Sequence, residues 1–301
     1  MNSDISGNGK QLELVPIREV ARQTGINPVT LRAWERRYGL IKPLRTAKGH
    51  RLYTSEHIAQ INEVRTWLQR GVSVGQVKHL LIEHIPVPLP ASSQWTERLQ
   101  QWLGWIEQLA ERQLDEGLHE MLALYPLEIA CQNLLLPLVE HLELRRSCQP
   151  RARVQQVFLL SWLRSRLGAR VAHGNRLSRG APVLISNTSD RAVEPGLWLL
   201  AWLLSDSDCP LRILEWSVSA EDLQQAIELS MPRAVLLFAN RSVDPEYLRG
   251  LLQVTELPQL LCGHAVTIHH ESLLDFPELH RADNPLAALH SLRQLGLPTS
   301  G

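Results

Sequence analysis

The sequence has 301 residues and a mass of 34.1 kDa, more than one small domain usually holds, so two or three domains are expected. Hydrophobic residues make up 44% and charged residues 21%, a balance that is typical of folded globular proteins and excludes a disordered chain. No stretch approaches the roughly 18 apolar residues of a membrane helix, and the polar start lacks the apolar run of a secretory signal. A cytoplasmic protein without a membrane partner is therefore expected.

The formal net charge of zero hides two regions of opposite charge. Residues 1–85 contain 13 basic and 7 acidic side chains, a net charge of +6, whereas the remaining 216 residues contain 18 and 24, a net charge of −6. A positive region favours contact with a polyanion such as DNA, and a negative region is repelled by it. The charge division therefore predicts that only the first region meets nucleic acid.

The first predicted elements are two short helices joined by a glycine turn. Pro16 opens a helix over Ile17–Thr24, and Gly25 then turns the chain. Asn27 is a good N-cap, so a second helix is expected over residues 28–37. Two helices joined in this way are typical of a helix-turn-helix, although other packed helix pairs show the same pattern.

The second helix has an apolar side and a basic side. Val29 and Trp34 are expected to pack inward. The opposite side presents Thr30, Arg32, Arg36 and Arg37. Guanidinium groups fork onto phosphates and guanine edges, so this helix is the candidate recognition helix of a DNA-binding domain. The alternative is that these arginines form only a solvated face.

A basic segment with a glycine turn follows at residues 45–53 and predicts a two-stranded wing. Its candidate phosphate contacts are Arg45, Lys48, His50 and Arg51. Thr54 caps a further helix to about residue 70, and Ser73 with Gln76 forms a capping box for a last helix to residue 82. A recognition helix followed by a wing indicates a winged helix-turn-helix DNA-binding domain over residues 1–85.

The rest of the chain predicts a linker and two further domains. Alternating prolines over residues 86–94 forbid a helix and favour an extended linker. Helical spacing of apolar residues predicts a four-helix bundle over residues 95–175. Residues 180–301 alternate the strand-length runs PVLIS, LRILEW, RAVLLFA and QLLCG with helical stretches, which predicts a Rossmann-like, doubly wound parallel sheet. Its helices are expected to start near Arg191, Ser219 and Asp244.

The segment TLRAWERRYGL at 30–40, followed by KP and by RTAKGHRLYT in the wing, resembles the MerR family of bacterial transcription regulators. The spellings AWERRYG and GHRLY are similar to the branch that contains CarA, CarH, LitR and MlrA. This resemblance implies a dimer on a two-fold promoter operator, with the second helix in the major groove and the wing on the flanking backbone. Under it, the DNA-binding residues are Arg18, Thr30, Arg32, Arg36, Arg37, Tyr38, Arg45, Lys48, His50, Arg51 and Tyr53.

The same resemblance implies a helical bundle and a cobalamin-binding-type α/β domain after the DNA-binding head. Cobalamin binders of this fold share a D-x-H-x-x-G loop in which the His ligates cobalt and the Asp orients that His. Alignment on Gly196 puts Arg191 at the Asp position and Val193 at the His position. Phe238 replaces the Ser that receives the nucleotide tail, and the double glycine near the fourth strand keeps only Gly263.

The bundle departs from the branch as well. Members that sense light close a Glu-His pair and a Trp over the upper face of the cofactor. Gln156 and Val157 occupy the places of the pair here, and the Trp position falls near Glu143. With both faces altered, the C-terminal region is a degenerate cobalamin-binding-type region, and no cofactor is expected.

Other metal and catalytic sites are not indicated either. The cysteines are spread without a C-x-x-C pair, which favours buried free thiols, at Cys131, Cys148, Cys209 and Cys262. A cluster follows the fourth strand at His264, His269 and His270, but neighbours on a strand point apart and no carboxylate stands at ligand spacing. No nucleophile elbow, phosphate loop or placed acid/base pair is recognisable, so neither a metal site nor an enzyme is expected.

Nine tryptophans raise the question of an aromatic ligand site. Trp95, Trp102 and Trp105 share one face of the first bundle helix, and core or interface packing is favoured over a ligand cage. Trp198 and Trp202 stand four residues apart and form another packed face, which can serve a partner.

The leading hypothesis is a sequence-specific DNA-binding regulator that acts without cobalamin and whose C-terminal region serves oligomerisation or partner binding. The alternatives are a cobalamin-dependent light-sensing repressor with non-standard ligands, and an antagonist that forms mixed oligomers with a related regulator. An enzyme or corrinoid-carrier subunit is disfavoured by the missing His. The expected partners are promoter DNA and a second copy of the chain, with a related regulator or RNA polymerase as further candidates.

Overall fold

The computed structural model describes residues 14–24, 26, 28–69, 74–83, 93–145, 150–190 and 193–297. The chain forms two compact units, which consist of Met1–Leu68 with Ser73–Glu83 and of Gln69–Val72 with His84–Gly301. Several predicted features lie outside the described residues, namely the turn at Gly25, the cap at Asn27, the capping box at Ser73 and most of the linker at 86–94.

The first unit combines short helices with a small antiparallel sheet. Its elements in chain order are β1 (Val15–Pro16), α1 (Ile17–Thr24), α2 (Pro28–Ala33), a π-helical turn (Trp34–Tyr38), β2 (Leu44–Arg45), β3 (Arg51–Tyr53), α3 (Ser55–Gln69) and α4 (Val74–Glu83). β3 lies between β1 and β2, with Tyr53 opposite Val15 and Arg51 opposite Arg45. Thr54 caps α3 as predicted, because its Oγ1 accepts the backbone N–H of His57 at 3.3 Å.

The core of the first unit corrects the predicted inner side of the second helix. Val29 is 67% exposed, and Leu31 is buried with Trp34 in its place. Residues 29 and 34 are five apart, about 140° around a helix, whereas residues 31 and 34 are three apart and share a face. The helix also does not stop at residue 37, since a π-helical turn carries it to Tyr38 before Gly39 takes a left-handed φ of 61°.

The second unit begins with helices that form the predicted bundle. They are α5 (Ser93–Glu107), α6 (Glu111–Leu124), α7 (Leu127–Ala130), a π-helical turn (Cys131–Leu135), α8 (Leu136–Arg145) and α9 (Pro150–Leu177). The π-helical turn joins α7 to α8 without leaving helical dihedral angles, so four rods result. Pro137 follows that turn, and proline lacks the amide hydrogen that a regular helix needs, which accounts for the widened turn.

A parallel α/β domain follows α9. Its elements are β4 (Val183–Asn187), α10 (Pro195–Ser205), β5 (Leu211–Leu214), α11 (Ala220–Ser230), β6 (Ala234–Phe238), α12 (Pro245–Leu252), β7 (Gln259–Cys262), α13 (Ala265–Ile268), α14 (His270–Leu273), β8 (His280–Ala282) and α15 (Pro285–Gln294). All neighbouring strands pair in parallel in the order β5-β4-β6-β7-β8. The predicted doubly wound sheet is confirmed, and sequence reasoning missed the short edge strand β8.

The sheet has a core on each face. Ile185, Leu236 and Leu260 face α10, α15 and the bundle, whereas the alternate residues Leu184 and Leu237 face α11 and α12. α10 is apolar on all sides because it packs against both the sheet and α9, and every residue along it except Gly196 is buried.

Local signals fixed most helix starts of this domain. Ser219 and Asp222 form a reciprocal capping box for α11, and Asp244 accepts the backbone N–H of Tyr247 at the start of α12. The first helix starts at Pro195 and not near Arg191 as predicted, because proline suits the first helical position. Among the described helices, none has the length and apolar character to cross a bilayer.

Candidate DNA-binding surface

The helix predicted to read DNA presents its basic residues to solvent. Arg32 on α2 and Arg36 and Arg37 on the π-helical turn are exposed, and Thr30 and Tyr38 are partly exposed. Arg18 is exposed on α1. Arg32 and Arg36 are one helical turn apart, so their guanidinium groups stand on neighbouring positions of one surface. This arrangement suits a row of phosphates or base edges in the major groove.

A single carboxylate joins this helix to the wing. Oε1 of Glu35 accepts a bond from Nη2 of Arg45 on β2 at 2.7 Å, and Oε2 accepts a bond from Nε of Arg51 on β3. Burial alone would raise the pKa of Glu35, but the hydrogen bonds from Arg51 and Arg45 hold it below its ordinary value. Glu35, which sequence reasoning missed, therefore fixes both strands of the wing to the recognition helix.

The two wing arginines keep N–H groups that Glu35 does not use, because a guanidinium has five donors. Both residues therefore stay candidate phosphate contacts, with their orientation set by Glu35. Their charge is partly neutralised by that carboxylate, so they supply less net attraction to DNA than isolated arginines. The sequence signal for this arrangement is weak, since the partners lie 10 and 16 residues from Glu35.

The tip of the wing is a tight turn with two exposed cations. The backbone N–H of Thr46 donates to the carbonyl of His50 at 2.9 Å, and Oγ1 of Thr46 accepts the N–H of His50 at 3.0 Å. Gly49 has a φ of 80°, a conformation that side chains disfavour. Lys48 and His50 are exposed on either side of it. The turn therefore presents both side chains at the position where a wing meets the DNA backbone.

Tyr53 corrects the predicted set of contacts. Its side chain is 1% exposed, and its hydroxyl is buried without a hydrogen-bond partner within the described part of the chain. Burial raises its pKa, and the nearby Glu35 carboxylate adds to the rise. Arg51 and Tyr53 stand two apart on β3 and share its inner face, so Tyr53 supports the wing from below. It is a core residue and not a DNA contact in this structure.

The position of the family's cobalamin loop is filled by protein. The ring of Phe238 is 1% exposed, and a methyl group added to Gly196 would lie 2.5 Å from its Cζ. Val193 packs against the same core. Side-chain hydrogen bonds involve the described residues next to this position, with Ser189 donating to Glu194 at 2.8 Å and Asn187, at the end of β4, donating to the carbonyl of Glu215, which follows β5, at 2.9 Å. Arg191 lies outside the described residues.

The bundle residues that the resemblance puts at the upper cofactor position do not suit it either. Gln156 is 4% exposed and Val157 is 56% exposed, so the polar member of the pair is buried and the apolar member faces solvent. The side-chain nitrogen of Gln156 has no partner within the described residues. Neither side chain is a cobalt ligand, and the lower face offers Val193 and Phe238, so these residues do not fit a cobalamin held in the family's way.

Within the described residues, no group of three or more His, Cys, Asp or Glu side chains is placed to hold a metal ion. Nε2 of the buried His269 accepts the N–H of Val243 at 3.0 Å, and burial lowers its pKa, so it acts as a neutral structural residue. The premise that the His264, His269 and His270 cluster lies on a strand was wrong, because these residues lie at two short helices, α13 and α14.

The described cysteines and two tryptophans of the first bundle helix serve as core residues. Cys131, Cys209 and Cys262 are buried free thiols, and Cys148 lies outside the described residues. Trp95 and Trp102 are buried in the bundle, and the ring of Trp102 meets that of Trp162 edge-on at 6.1 Å. These contacts are the packing that the sequence favoured over a ligand cage.

The helix-turn-helix with its wing defines a DNA-binding transcription regulator, and the family model for "MerR HTH family regulatory protein" matches residues 15–83. The chain belongs to the MerR family, in the branch that includes MlrA, CarA and CarH. It is 33% identical over 211 residues to the HTH-type transcriptional regulator MlrA of Salmonella typhimurium, covering 69% of this chain and 82% of the relative.

Two further proteins are similar to large parts of the chain. The HTH-type transcriptional repressor CarA of Myxococcus xanthus is 28% identical over 240 residues, covering 79% of this chain and 80% of that protein. Among solved structures, the methanol:cobalamin methyltransferase complex MtaBC from Methanosarcina barkeri is similar with a TM-score of 0.35 and 13% identity, over 73% of this chain and 89% of the other. Similarity at this level carries no conclusion about a ligand.

Proposed function

We propose that this MerR-family regulator binds promoter DNA as a homodimer and acts without cobalamin, while its second unit serves self-association or the binding of a partner. Direct DNA contacts are assigned to Arg18, Thr30, Arg32, Arg36, Arg37, Tyr38, Lys48 and His50. Arg45 and Arg51 contact phosphates in the orientation that Glu35 sets. The chain performs no catalysis in this proposal.

The observation that carries cobalamin independence is the position of Phe238. Its buried ring occupies the space beside Gly196, where a binder of this fold receives the nucleotide tail. Opening that space would require the ring to leave a well-packed core, where deleting such a ring by a Phe→Ala substitution costs about 3–5 kcal/mol. Val193 offers no donor atom for cobalt, so nothing on the lower face offsets that loss.

The second unit has features that support self-association or partner binding. Its net charge keeps it away from the DNA phosphates. Val154 and Val157 stand one turn apart on α9 and are both exposed, in a helix whose other face is buried in the bundle. Exposed apolar residues at helical spacing are typical of a surface that packs against another helix.

The test uses the full-length protein. Genome-wide binding in cells first supplies a promoter fragment, and gel-shift titration then measures affinity for it in the dark and in light, with and without adenosylcobalamin. The same protein is incubated with adenosylcobalamin, passed through gel filtration and examined by visible absorbance. We expect equal affinity in all four conditions, two-fold symmetric protection of the operator and no retained corrinoid band.

Two results would contradict the proposal. A retained corrinoid band together with light-dependent DNA binding would identify a cobalamin-dependent sensor with non-standard ligands. Failure to bind any promoter fragment, together with capture of a related regulator, would identify an antagonist that acts through mixed oligomers.

A further inference from the structure

Two arginines of α9 stack on two tryptophans of α10. The guanidinium carbon of Arg164 lies 4.8 Å from the ring centre of Trp198, and that of Arg170 lies 5.2 Å from the ring centre of Trp202. Cations stack favourably on indole rings, so each pair ties α9 to α10. The two pairs differ in what surrounds the cation.

The first pair is completed by a carboxylate. Nε and Nη2 of Arg164 donate to the two oxygens of Glu215 at 2.9 and 2.8 Å, and Nε1 of Trp198 donates to the same carboxylate at 3.0 Å. The hydrogen bond from Arg164 is the main reason that the pKa of Glu215 is lowered. A guanidinium fork and an indole N–H thus converge on one carboxylate.

The second pair has no such carboxylate. Within the described residues, neither the guanidinium of Arg170 nor the indole N–H of Trp202 has a hydrogen-bond or ion-pair partner. Burial lowers the pKa of Arg170 even though the Asp115 carboxylate acts to raise it, so the cation is partly removed from water and has no directly paired anion among the described residues. Arg164 and Trp198 donate their N–H groups to Glu215, whereas the corresponding N–H groups of Arg170 and Trp202 have no acceptor among the described residues.

These unused donors line a groove of about 700 Å³. Leu122, Tyr125 and Leu127 form an apolar wall between α6 and α7, and Arg170 and Trp202 lie on α9 and α10. At its base α9 and α10 approach so closely that a methyl group on Gly174 would lie 1.9 Å from Oγ of Ser205. The volume is that of a site for a small organic molecule.

The groove also contains two carboxylates, which restrict the charge of an occupant. Asp206 and Asp208 follow the C-terminal end of α10 and line the groove, and burial raises the pKa of Asp206. Because Coulomb repulsion grows with charge, these two carboxylates repel a phosphate or a dicarboxylate more strongly than they repel a ligand with one negative charge. The groove lies at the opposite end of α10 from Gly196, so it is separate from the filled cobalamin position.

We propose that this groove binds a small organic monocarboxylate. Its carboxylate accepts bonds from the fork of Arg170 and the indole N–H of Trp202, in the manner of Glu215 at the first pair. Its apolar part lies against Leu122, Tyr125 and Leu127. The same helix pair thus carries two arginine-tryptophan stacks. One binds the carboxylate of Glu215, and the other binds the carboxylate of a ligand.

The test is isothermal titration calorimetry of the full-length protein with two carboxylates, benzoate and hexanoate, and with their neutral amides, benzamide and hexanamide. We expect at least one carboxylate to bind at millimolar concentration and its amide to bind at least about tenfold more weakly, because a charge-assisted fork is lost. Inorganic phosphate is expected to bind more weakly than that carboxylate.

Variants locate the binding. Arg170→Gln is expected to weaken carboxylate binding at least about tenfold, and Arg170→Lys less, because lysine keeps the charge but loses the fork. Arg153→Gln, which removes an exposed charge from the same helix, is expected to leave binding unchanged. If Arg170→Gln does not fold, Trp202→Phe removes the indole donor together with part of the ring. The indole N–H signal that it deletes from an NMR spectrum is expected to shift in wild-type protein on titration.

Any of four results would overturn the proposal. They are equal binding of carboxylate and amide, phosphate binding as tightly as the carboxylate, unchanged carboxylate affinity in the folded Arg170 and Trp202 variants, and the absence of heat and of an indole shift with both carboxylates at millimolar concentration.

Discussion

The two units differ in whether the residues at the family's motif positions are exposed or buried. In the first unit, Arg32, Arg36 and Arg37 remain on the surface, and a carboxylate on the same helix holds the wing beside them. In the second unit, the positions of the cofactor motif are part of the core, where Val193 and Phe238 are packed against other side chains. A surface site needs only a scaffold, whereas interior positions must be filled by packed side chains, since a void forfeits dispersion contacts.

The filled interior predicts the largest effect. Phe238→Ala removes a buried ring and leaves a cavity, so we expect the free energy of unfolding of the second unit to fall by about 3–5 kcal/mol. Urea denaturation followed by tryptophan fluorescence measures this change. Phe276→Ala, a partly buried ring on the other face of the sheet, is the matched control and is expected to lose less.

A second substitution tests whether Phe238 fills the space beside Gly196. Gly196→Ala places a methyl group 2.5 Å from the ring, so it is expected to lower the free energy of unfolding by about 1–3 kcal/mol. In the Phe238→Ala background the same change is expected to be nearly neutral. Strictly additive effects of the two substitutions would show that the ring does not occupy this space.

The exposed recognition helix predicts the next effect. Arg36→Ala is expected to weaken operator binding about tenfold to hundredfold, because a base or phosphate contact contributes about 1–3 kcal/mol. The melting temperature is expected to stay unchanged, since the side chain is exposed. Gel-shift titration at fixed salt measures affinity, and Arg22→Ala on α1 is the charge-matched control. Equal losses in both variants would mean that net charge alone sets the affinity.

The contact of Glu35 with the wing predicts a smaller change in DNA affinity, opposite in direction to the change expected from net charge. Glu35→Gln removes a negative charge from the DNA-facing unit, which by charge alone strengthens binding. We expect weaker binding, by roughly threefold to tenfold, because Arg45 and Arg51 lose the carboxylate that orients them. Glu56→Gln on α3 makes the same charge change at a carboxylate that does not bind Arg45 or Arg51, and it is expected to leave affinity equal or slightly higher. Tighter binding of Glu35→Gln would overturn the orienting role.

The same residue makes the first unit sensitive to acid. The folded-state pKa of Glu35 lies below its ordinary value of 4.5, so the ion pairs stabilise the unit above about pH 4.5. That contribution is lost as the pH falls through the lower, folded-state pKa. The free energies of unfolding of wild type and Glu35→Gln, measured by urea denaturation, are therefore expected to differ at pH 7 and to become equal in strong acid.

Tyr53 predicts the smallest effect. Tyr53→Phe removes a buried hydroxyl that has no partner within the described residues, so stability is expected to stay the same or to rise by up to about 1 kcal/mol. Operator affinity is expected to stay unchanged in a gel-shift titration. A clear loss of affinity would restore Tyr53 to the set of DNA contacts and show that it leaves the core on binding.

The sequence by itself determined the order of the parts. Local signals sufficed for the recognition helix, the wing, the four bundle rods and the strands β4 to β7, because caps, turns and apolar periodicity act over a few residues. The family motif at 30–53 also identified the basic surface. The same local rules placed Val29 inside, because they could not show that Leu31 packs with Trp34.

Only the tertiary structure decided which side chains meet. It joined Glu35 to Arg45 and Arg51, buried Tyr53, pressed Phe238 against Gly196, and closed one arginine-tryptophan stack with Glu215, 51 residues from Arg164. Such pairs depend on how distant elements pack, and a single sequence carries no local trace of that packing. The physical reason is that hydrogen bonds and burial depend on distance in space, whereas propensity and periodicity depend on distance along the chain.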